Sequence, residues 1–180
     1  MVSIIRTRSF YLRLASIWDA EFIFSLRSDP QISAFLSKIS GGVEEQRRWL
    51  TEYKLREAAQ QEFYFVILDP SCTPLGTIRV YDITPETFTW GSWMLCKQAP
   101  KFAAIESALA AYDFGFNYLG LKRCTFTVDR LNLPVCRFHD NFGARRERAD
   151  QKQYYYSFDQ EGFAKACRKY QKYFCTNKIL

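Results

Sequence analysis

The chain reads as a mixed α/β fold, a central and mostly antiparallel sheet with helices on both faces. Three observations predict it. Residues 63–95 hold three strand-like runs separated by turn residues, which is an antiparallel meander. A long helical stretch then leads to an isolated strand, and a short helix and two further strands follow, an order that needs a crossover onto the same sheet. With 180 residues, 48% of them hydrophobic and 17% aromatic, the composition is far from that of a disordered chain. A length of this order suits one domain, residues 1–180, able to bury roughly 70% of its unfolded surface without disulfide or metal support.

The elements follow in order. The opening I-I-R-T-R-S-F-Y-L-R-L is broken by arginines, so it lacks the apolar centre of a signal peptide and reads as a first strand. Phe10–Leu14 alternates as a strand does. Ile17–Arg27 is densely apolar and helix-compatible, and Asp29-Pro30 stops it. After the Gly41-Gly42 break, Val43–Glu57 places Val43, Leu50 and Tyr53 at helical spacing. Phe63–Leu68 is a buried strand, Asp69–Pro74 a turn, Gly76–Asp82 the returning strand and Thr87–Leu95 the third strand of the meander. Gly91 within that third strand predicts a bulge or a close backbone approach. A helix over Ala104–Leu119 carries Ile105, Leu109, Tyr112, Phe116 and Leu119 on one stripe and ends at Gly120. The strand Cys124–Val128 leads to Asn132 and a short helix, Pro134–Phe142, whose proline suits a first turn. Strands at Arg145–Arg148 and Tyr154–Phe158 and a helix at Gln160–Tyr173 complete the chain.

Composition excludes several classes. No apolar run approaches the ~20 residues of a membrane helix. The six cysteines, at 72, 96, 124, 136, 167 and 175, form no C-x-x-C pair, and the chain has one histidine, so no metal-ligand signature exists. Scattered single thiols fit a reduced, cytoplasmic protein. The net charge of +6 comes from dispersed residues rather than a basic stripe. That distribution disfavours nucleic acid and fits either a solvated basic surface or phosphorylated small molecules.

The run R-C-T-F-T-V-D-R-L-N-L-P-V-C-R-F-H-D-N-F-G, Arg123–Gly143, is a strand, an Asn, then Phe138-His139 four residues before a Gly. It resembles the second half of the acyl-coenzyme A site in the GNAT superfamily, where the residue at the His139 position is a Tyr. The order of elements is also that of GNAT proteins. The resemblance covers roughly residues 10–158 and is sharpest over Trp90–Gly143. It implies a sheet splayed between its fourth and fifth strands, an acyltransferase activity, and acyl-coenzyme A as co-substrate, with no metal. It further implies that Trp93, Met94, Leu95 and Cys96 supply the strand edge and the thioester donor, that Lys97, Lys101, Phe102, Ala103 and Ala104 form the phosphate-gripping loop, and that Asn132 and Arg137 contact the cofactor. The loop departs from the family pattern. Aligned back from Glu106, Pro100 and Phe102 stand where two glycines are usual, and a proline removes one N–H donor. Taken without the resemblance, Ala99–Ala104 is a plain loop before a helix and Asn132 a turn residue.

His139 is the candidate catalytic residue, since an imidazole with an ordinary pKa of about 6.5 can give or take a proton near neutrality. The other reading is a partly buried helix histidine satisfied by hydrogen bonds. Asp129 and Glu86 are fallback bases. Cys136 sits three residues before His139, close enough for a thiol–imidazole pair, although a cysteine in an apolar run is more often a small buried side chain. Short fragments, S-L-R-S-D-P, W-G-S-W and N-L-P-V-C-R-F-H, resemble the GNAT branch that acylates nucleotide-linked amino sugars such as dTDP-3-amino-3,6-dideoxyhexoses, with acetyl- or 3-hydroxybutyryl-coenzyme A as donor, for cell-surface polysaccharide. A sugar nucleotide needs aromatic faces for its base and arginines for its phosphates. Trp90 and Tyr81, together with Trp93 and Tyr154–Tyr156, are candidates for the first need, Arg27 and Arg79 for the second. For each aromatic, core packing is the competing role. A protein or peptide N-terminal acetyltransferase and a non-catalytic acyl-coenzyme A binder remain as alternatives, and a homodimer is compatible with the sequence.

Overall fold

The computed structural model describes residues 4–174 and the backbone of 178–179; Cys175 lies outside them. The described strands are β1 (Ile4–Arg6), β2 (Tyr11–Leu14), β3 (Phe63–Leu68), β4 (Pro74–Tyr81), β5 (Thr87–Leu95), β6 (Arg123–Asp129), β7 (Arg145–Ala149), β8 (Gln153–Asp159) and β9 (Lys178–Ile179). They form one sheet in the order β7-β8-β6-β5-β4-β3-β2-β1-β9. Every neighbouring pair is antiparallel except β5–β6. The helices are α1 (Ala20–Ser28), α2 (Pro30–Ser33), α3 (Val43–Ala58), α4 (Ala103–Asp113), α5 (Leu133–Phe142) and α6 (Gln160–Lys169).

β3 shows why two helical layers exist. Its F-Y-F-V-I-L is buried at every position. Phe63, Phe65 and Ile67 enter the larger core with α4, α5 and α6, while Tyr64, Val66 and Leu68 face the smaller core with α1 and α3. A strand buried on both faces has no polar side to show. α1 and α3 contribute to a core that draws on β3, with Tyr11 of β2 packed against it. The face of β5, β6 and β8 that Thr89, Thr125, Thr127 and Tyr155 share is left open as a cleft wall.

The differences from the sequence reading are local. The helix expected at Ile17–Arg27 begins as a 3₁₀ turn over Ile17–Asp19 before α1. Asp29-Pro30 stops α1 as expected, but Pro30 also opens the short α2, because Asp29 caps it through the Gln31 N–H at 2.8 Å. The helix read as Ala104–Leu119 is α-helical only to Asp113. Phe114–Tyr118 is π-helical, with Leu119 N–H bonded to the Phe114 carbonyl at 2.9 Å. The stripe of apolar residues cannot distinguish these two windings over five residues. Last, the helix expected to run to Tyr173 ends at Lys169.

Asp19 ties this framework to its edge. Its carboxylate takes both Arg13 Nη atoms at 2.7 Å and the Ser16 N–H at 2.7 Å. Burial would raise its pKa, but the Arg13 hydrogen bonds and the Ser16 N–H overcome burial and hold it below the usual carboxylate value. A depressed carboxyl adds stability above its unfolded pKa of about 3.9 and loses it as pH falls through the folded value. Asp19→Ala is expected to lower the unfolding free energy by about 2 kcal/mol, less than a fully buried pair because Arg13 is partly solvated. Urea titration at pH 7 measures the loss, and at pH 3 the gap between variant and parent should shrink.

Candidate active site

β5 and β6 begin side by side and then part. Thr87 pairs with Arg123 and Phe88 with Cys124, and the register ends there. One more link follows, from the Thr89 hydroxyl to the Thr125 carbonyl at 2.7 Å. Beyond it the strands diverge, held apart by α5 and by the bulge in β5. Arg79 and Thr77 of β4 oppose Gly91 and Met94, so β5 carries one extra residue between two paired ones. The bulge places Ser92 at φ +45° and turns its carbonyl to accept the Thr77 hydroxyl at 2.9 Å. Gly91 marks the bulge in the sequence; Ser92, the residue under backbone strain, carries no sequence signal.

Three cavities share Ser92. The first, about 390 Å³, occupies the fork between β5 and β6 and is lined by Trp93, Val128, Asn132, Val135 and His139 among others. The second, about 860 Å³, lies over the open face of β5, β6 and β8 and is walled by Thr89, Thr125, Thr127, Tyr155 and Ser157. Phe35 and Leu36, after α2, overhang both. The third, about 330 Å³, sits behind the bulge between α1 and α3. The alternation T-F-T-V-D in β6 is the only sequence trace of the second cavity. Its odd residues face outward while Cys124, Phe126 and Val128 are buried.

His139 is on α5, 4% exposed, and lines the fork. Rings of Trp90, Phe126, Phe138 and Tyr156 surround it, with centroids 4.3–5.8 Å away. Its Nδ1 is enclosed with no hydrogen-bond partner. The reading of a satisfied core histidine therefore does not fit. Burial, opposed in part by the Asp140 charge, pulls its pKa down to about 3, so the ring is neutral at physiological pH.

α5 begins at Asn132, whose side-chain oxygen accepts the Val135 N–H at 3.4 Å, with proline in the first turn and Gly143 at φ +94° after the last. Asn132 thus caps the helix that carries His139 and also lines the fork. Asp129, at the end of β6, lines both the fork and the open cleft. One of its oxygens accepts the Leu131 N–H at 2.9 Å. Glu86 lies elsewhere, exposed and paired with Lys122 at 2.6 Å. Cys136 is buried, and its thiol donates to the Asp129 carbonyl at 3.6 Å. That is the setting of a small core side chain rather than a nucleophile.

A family model for an acetyltransferase (GNAT) domain matches residues 9–145. The chain belongs to the GNAT acetyltransferases. Proteins of this family move an acyl group from acyl-coenzyme A to an amine, and the chain is such an acyltransferase. Its structure aligns with apo FdhC, described as a nucleotide-linked sugar GNAT, at TM-score 0.89 and 35% identity, over 97% of this chain and 100% of that one. A ribosomal-protein-S5-alanine acetyltransferase from Vibrio fischeri aligns at TM-score 0.74 and 17% identity, over 88% and 97%. A spermidine N-acetyltransferase from Vibrio cholerae, solved with coenzyme A and spermine, aligns at 0.73 and 17%, over 87% and 98%. These two share the fold. No curated protein matches the chain in sequence.

The GNAT fork and its splayed strands are present, and the remaining expected cofactor residues take varied places. Trp93 reaches into the fork, its indole N–H donating to the Ser107 hydroxyl at 3.1 Å. Met94 and Ala103 have buried side chains, so they offer a ligand only backbone. Leu95, Cys96 and Ala104 are half-buried. Phe102, at the place of a GNAT glycine, stacks on Phe10 and Tyr173 at 5.5 and 6.1 Å and belongs to the core. Lys97 is paired with Asp29 at 3.1 Å, whereas Lys101 and Arg137 are exposed. Glu106, in the first turn of α4, is buried and accepts from Thr7 and Ser9, which fastens the helix start to the β1–β2 turn. On the acceptor side, Trp90 is 4% exposed and packs as core against Tyr112, Phe126 and His139. It is not a free stacking face. Tyr81 borders the open cleft with the Arg79 guanidinium 4.3 Å from its ring centroid. Among the described residues, no cluster of His, Cys, Asp or Glu has metal-binding geometry, and no helix is long and apolar enough to cross a membrane.

Proposed function

We propose that this GNAT acyltransferase acylates the amino group of a nucleotide-linked amino sugar, of the dTDP-3-amino-3,6-dideoxyhexose kind, with acetyl- or 3-hydroxybutyryl-coenzyme A as donor, for cell-surface polysaccharide. The observation that carries the reading is the full-length, 35%-identical alignment with a nucleotide-linked sugar GNAT. The open cleft supports it. At about 860 Å³, with hydroxyls on its floor, it suits a sugar better than a bare alkylamine.

The chemistry is a direct displacement. The thioester lies in the fork, where the parted strands offer unpaired backbone groups to the pantetheine amides. The amine reaches the thioester carbonyl from the open cleft, past Ser92. Asp129, bordering both spaces, stands beside the incoming ammonium and favours its approach. The ammonium first gives one proton to solvent; the neutral nitrogen then attacks the carbonyl carbon, the C–S bond breaks, and the second proton lost by the nitrogen passes to the departing thiolate. His139, neutral and beside the reacting centre, relays it. Holding both substrates in one geometry supplies much of the rate, and an N–H on β5 steadies the oxyanion.

A thiol-release assay over a panel of acceptors tests the reading. Nucleotide-linked amino sugars are expected to give the highest kcat/KM, well above N-terminal peptides and spermidine. A preference for either of those, or binding of acyl-coenzyme A without turnover on any amine, overturns it.

A further inference from the structure

The cavity behind the bulge carries unbalanced charge. It is lined by Arg27 from α1, Lys38 from the segment before α3, Arg79 from β4 and one carboxylate, Glu45. Glu45 is taken by Arg48. The open cleft beside it is balanced, with Arg79, Arg123 and Lys152 against Asp82, Asp129 and Glu147. The two spaces share Ser37, Arg79 and Ser92, so the cationic cavity adjoins the point where acceptor and thioester meet.

Both guanidiniums are positioned by neighbours and left with donors to give. Arg27 is fixed through one nitrogen, Nη2, which donates to the Ser37 carbonyl at 2.7 Å and its hydroxyl at 3.0 Å. Arg79 lies against the Tyr81 ring, and its centre is 5.5 Å from that of Trp49. Its carboxylate partner, Glu62, is 3.6 Å away and is shared with Arg56 at 2.8 Å. The Arg79 Nε is enclosed with no hydrogen-bond partner. Burial, and then the Arg79 charge, push the Arg27 pKa below its ordinary value. Two partly desolvated like charges are costly to hold together unless an anion joins them. The planar guanidinium fork matches phosphate oxygens two at a time. The fork that takes the thioester is lined by neither arginine.

We propose that this cavity is the diphosphate subsite of the acceptor, with Arg27 and Arg79 as the paired grip. The assignment rests on the nucleotide-linked acceptor read above. It sets the orientation of that substrate. The diphosphate lies behind the bulge, the sugar at Ser92, and the amine points into the fork.

Titration calorimetry with thymidine diphosphate, inorganic pyrophosphate and coenzyme A, on the parent and on Arg27→Gln and Arg79→Gln, tests it alongside steady-state kinetics. Arg27→Gln is expected to weaken thymidine diphosphate and pyrophosphate about tenfold or more. It should raise the KM for the nucleotide-linked acceptor by a similar factor, with kcat and the affinity for coenzyme A retained. Arg27→Lys should restore only part of the loss, since an ammonium lacks the fork. A melting curve checks each variant, and if Arg79→Gln unfolds, Arg27→Gln decides alone. Unchanged diphosphate affinity in Arg27→Gln overturns the assignment. So does a loss confined to coenzyme A, which makes the cofactor's own diphosphate the occupant. If no nucleotide-linked amine is acylated while diphosphate binding still depends on Arg27, the subsite stands and the acceptor reading falls.

Discussion

His139→Ala is expected to lower turnover by about tenfold or more while acyl-coenzyme A binds as before. The ring is enclosed by Trp90, Phe126, Phe138 and Tyr156 and lines the fork, and its Nδ1 has no partner. In the proposed mechanism, its removal takes away the proton relay and leaves the strand edge intact. Unchanged turnover would remove His139 from the mechanism. Alanine also opens a cavity, so a melting curve has to accompany the kinetics. The pKa of about 3 adds a second readout. Above about pH 6.5 the ring is neutral in folded and unfolded chains alike. Below that, the unfolded ring takes a proton that the folded ring refuses until about pH 3, so stability falls as pH drops through this window. In urea titrations between pH 7 and 4, His139→Gln should lose stability less steeply than the parent. For the same reason, any limb of the rate profile near pH 6.5 belongs to a group other than this imidazole.

Gly115→Ala is expected to destabilise the fold by about 3 kcal/mol, which for a chain of this size lowers the melting temperature by on the order of 10 °C. A Cβ at this position would lie 2.1 Å from Phe88 Cζ, with two more ring carbons within 2.5 Å. Alanine is the better helix former by only ~1 kcal/mol, too little to offset overlap with a fully buried ring. Phe88 is also the last residue of β5 that pairs with β6, so displacing it disturbs the apex of the fork and should lower kcat as well. Gly42→Ala is the control. A Cβ there meets nothing within 4 Å, and its stability should stay within about 0.5 kcal/mol of the parent.

Elements that state their own environment were legible in the sequence. β3 and β5 fall on the expected residues, because continuous apolar runs between turn residues leave few alternatives. The bulge announced itself through Gly91, and α5 through Pro134 and Gly143. Features that depend on distant partners were not. The π segment exists where Gly115 meets Phe88, a contact made across 27 positions of chain. β9 pairs with β1 from the far end of the chain. Phe102 resembles a faulty phosphate loop in sequence, and only the Phe10 and Tyr173 rings reveal it as core. The site divides in the same way. His139 and Asn132 were read from a motif and both line the fork, whereas the open cleft emerges once β6 is set in register with β8, which brings Thr125 and Thr127 beside Ser157 and Tyr155.

Two residue pairs and one hydroxyl-to-carbonyl bond form the described ladder between β5 and β6, with the Trp90 and Phe126 rings packed across it. The sheet is therefore two antiparallel panels joined at a short parallel seam. Substitutions around Phe88, Cys124 and Gly115 can change the angle between the panels without unpairing either.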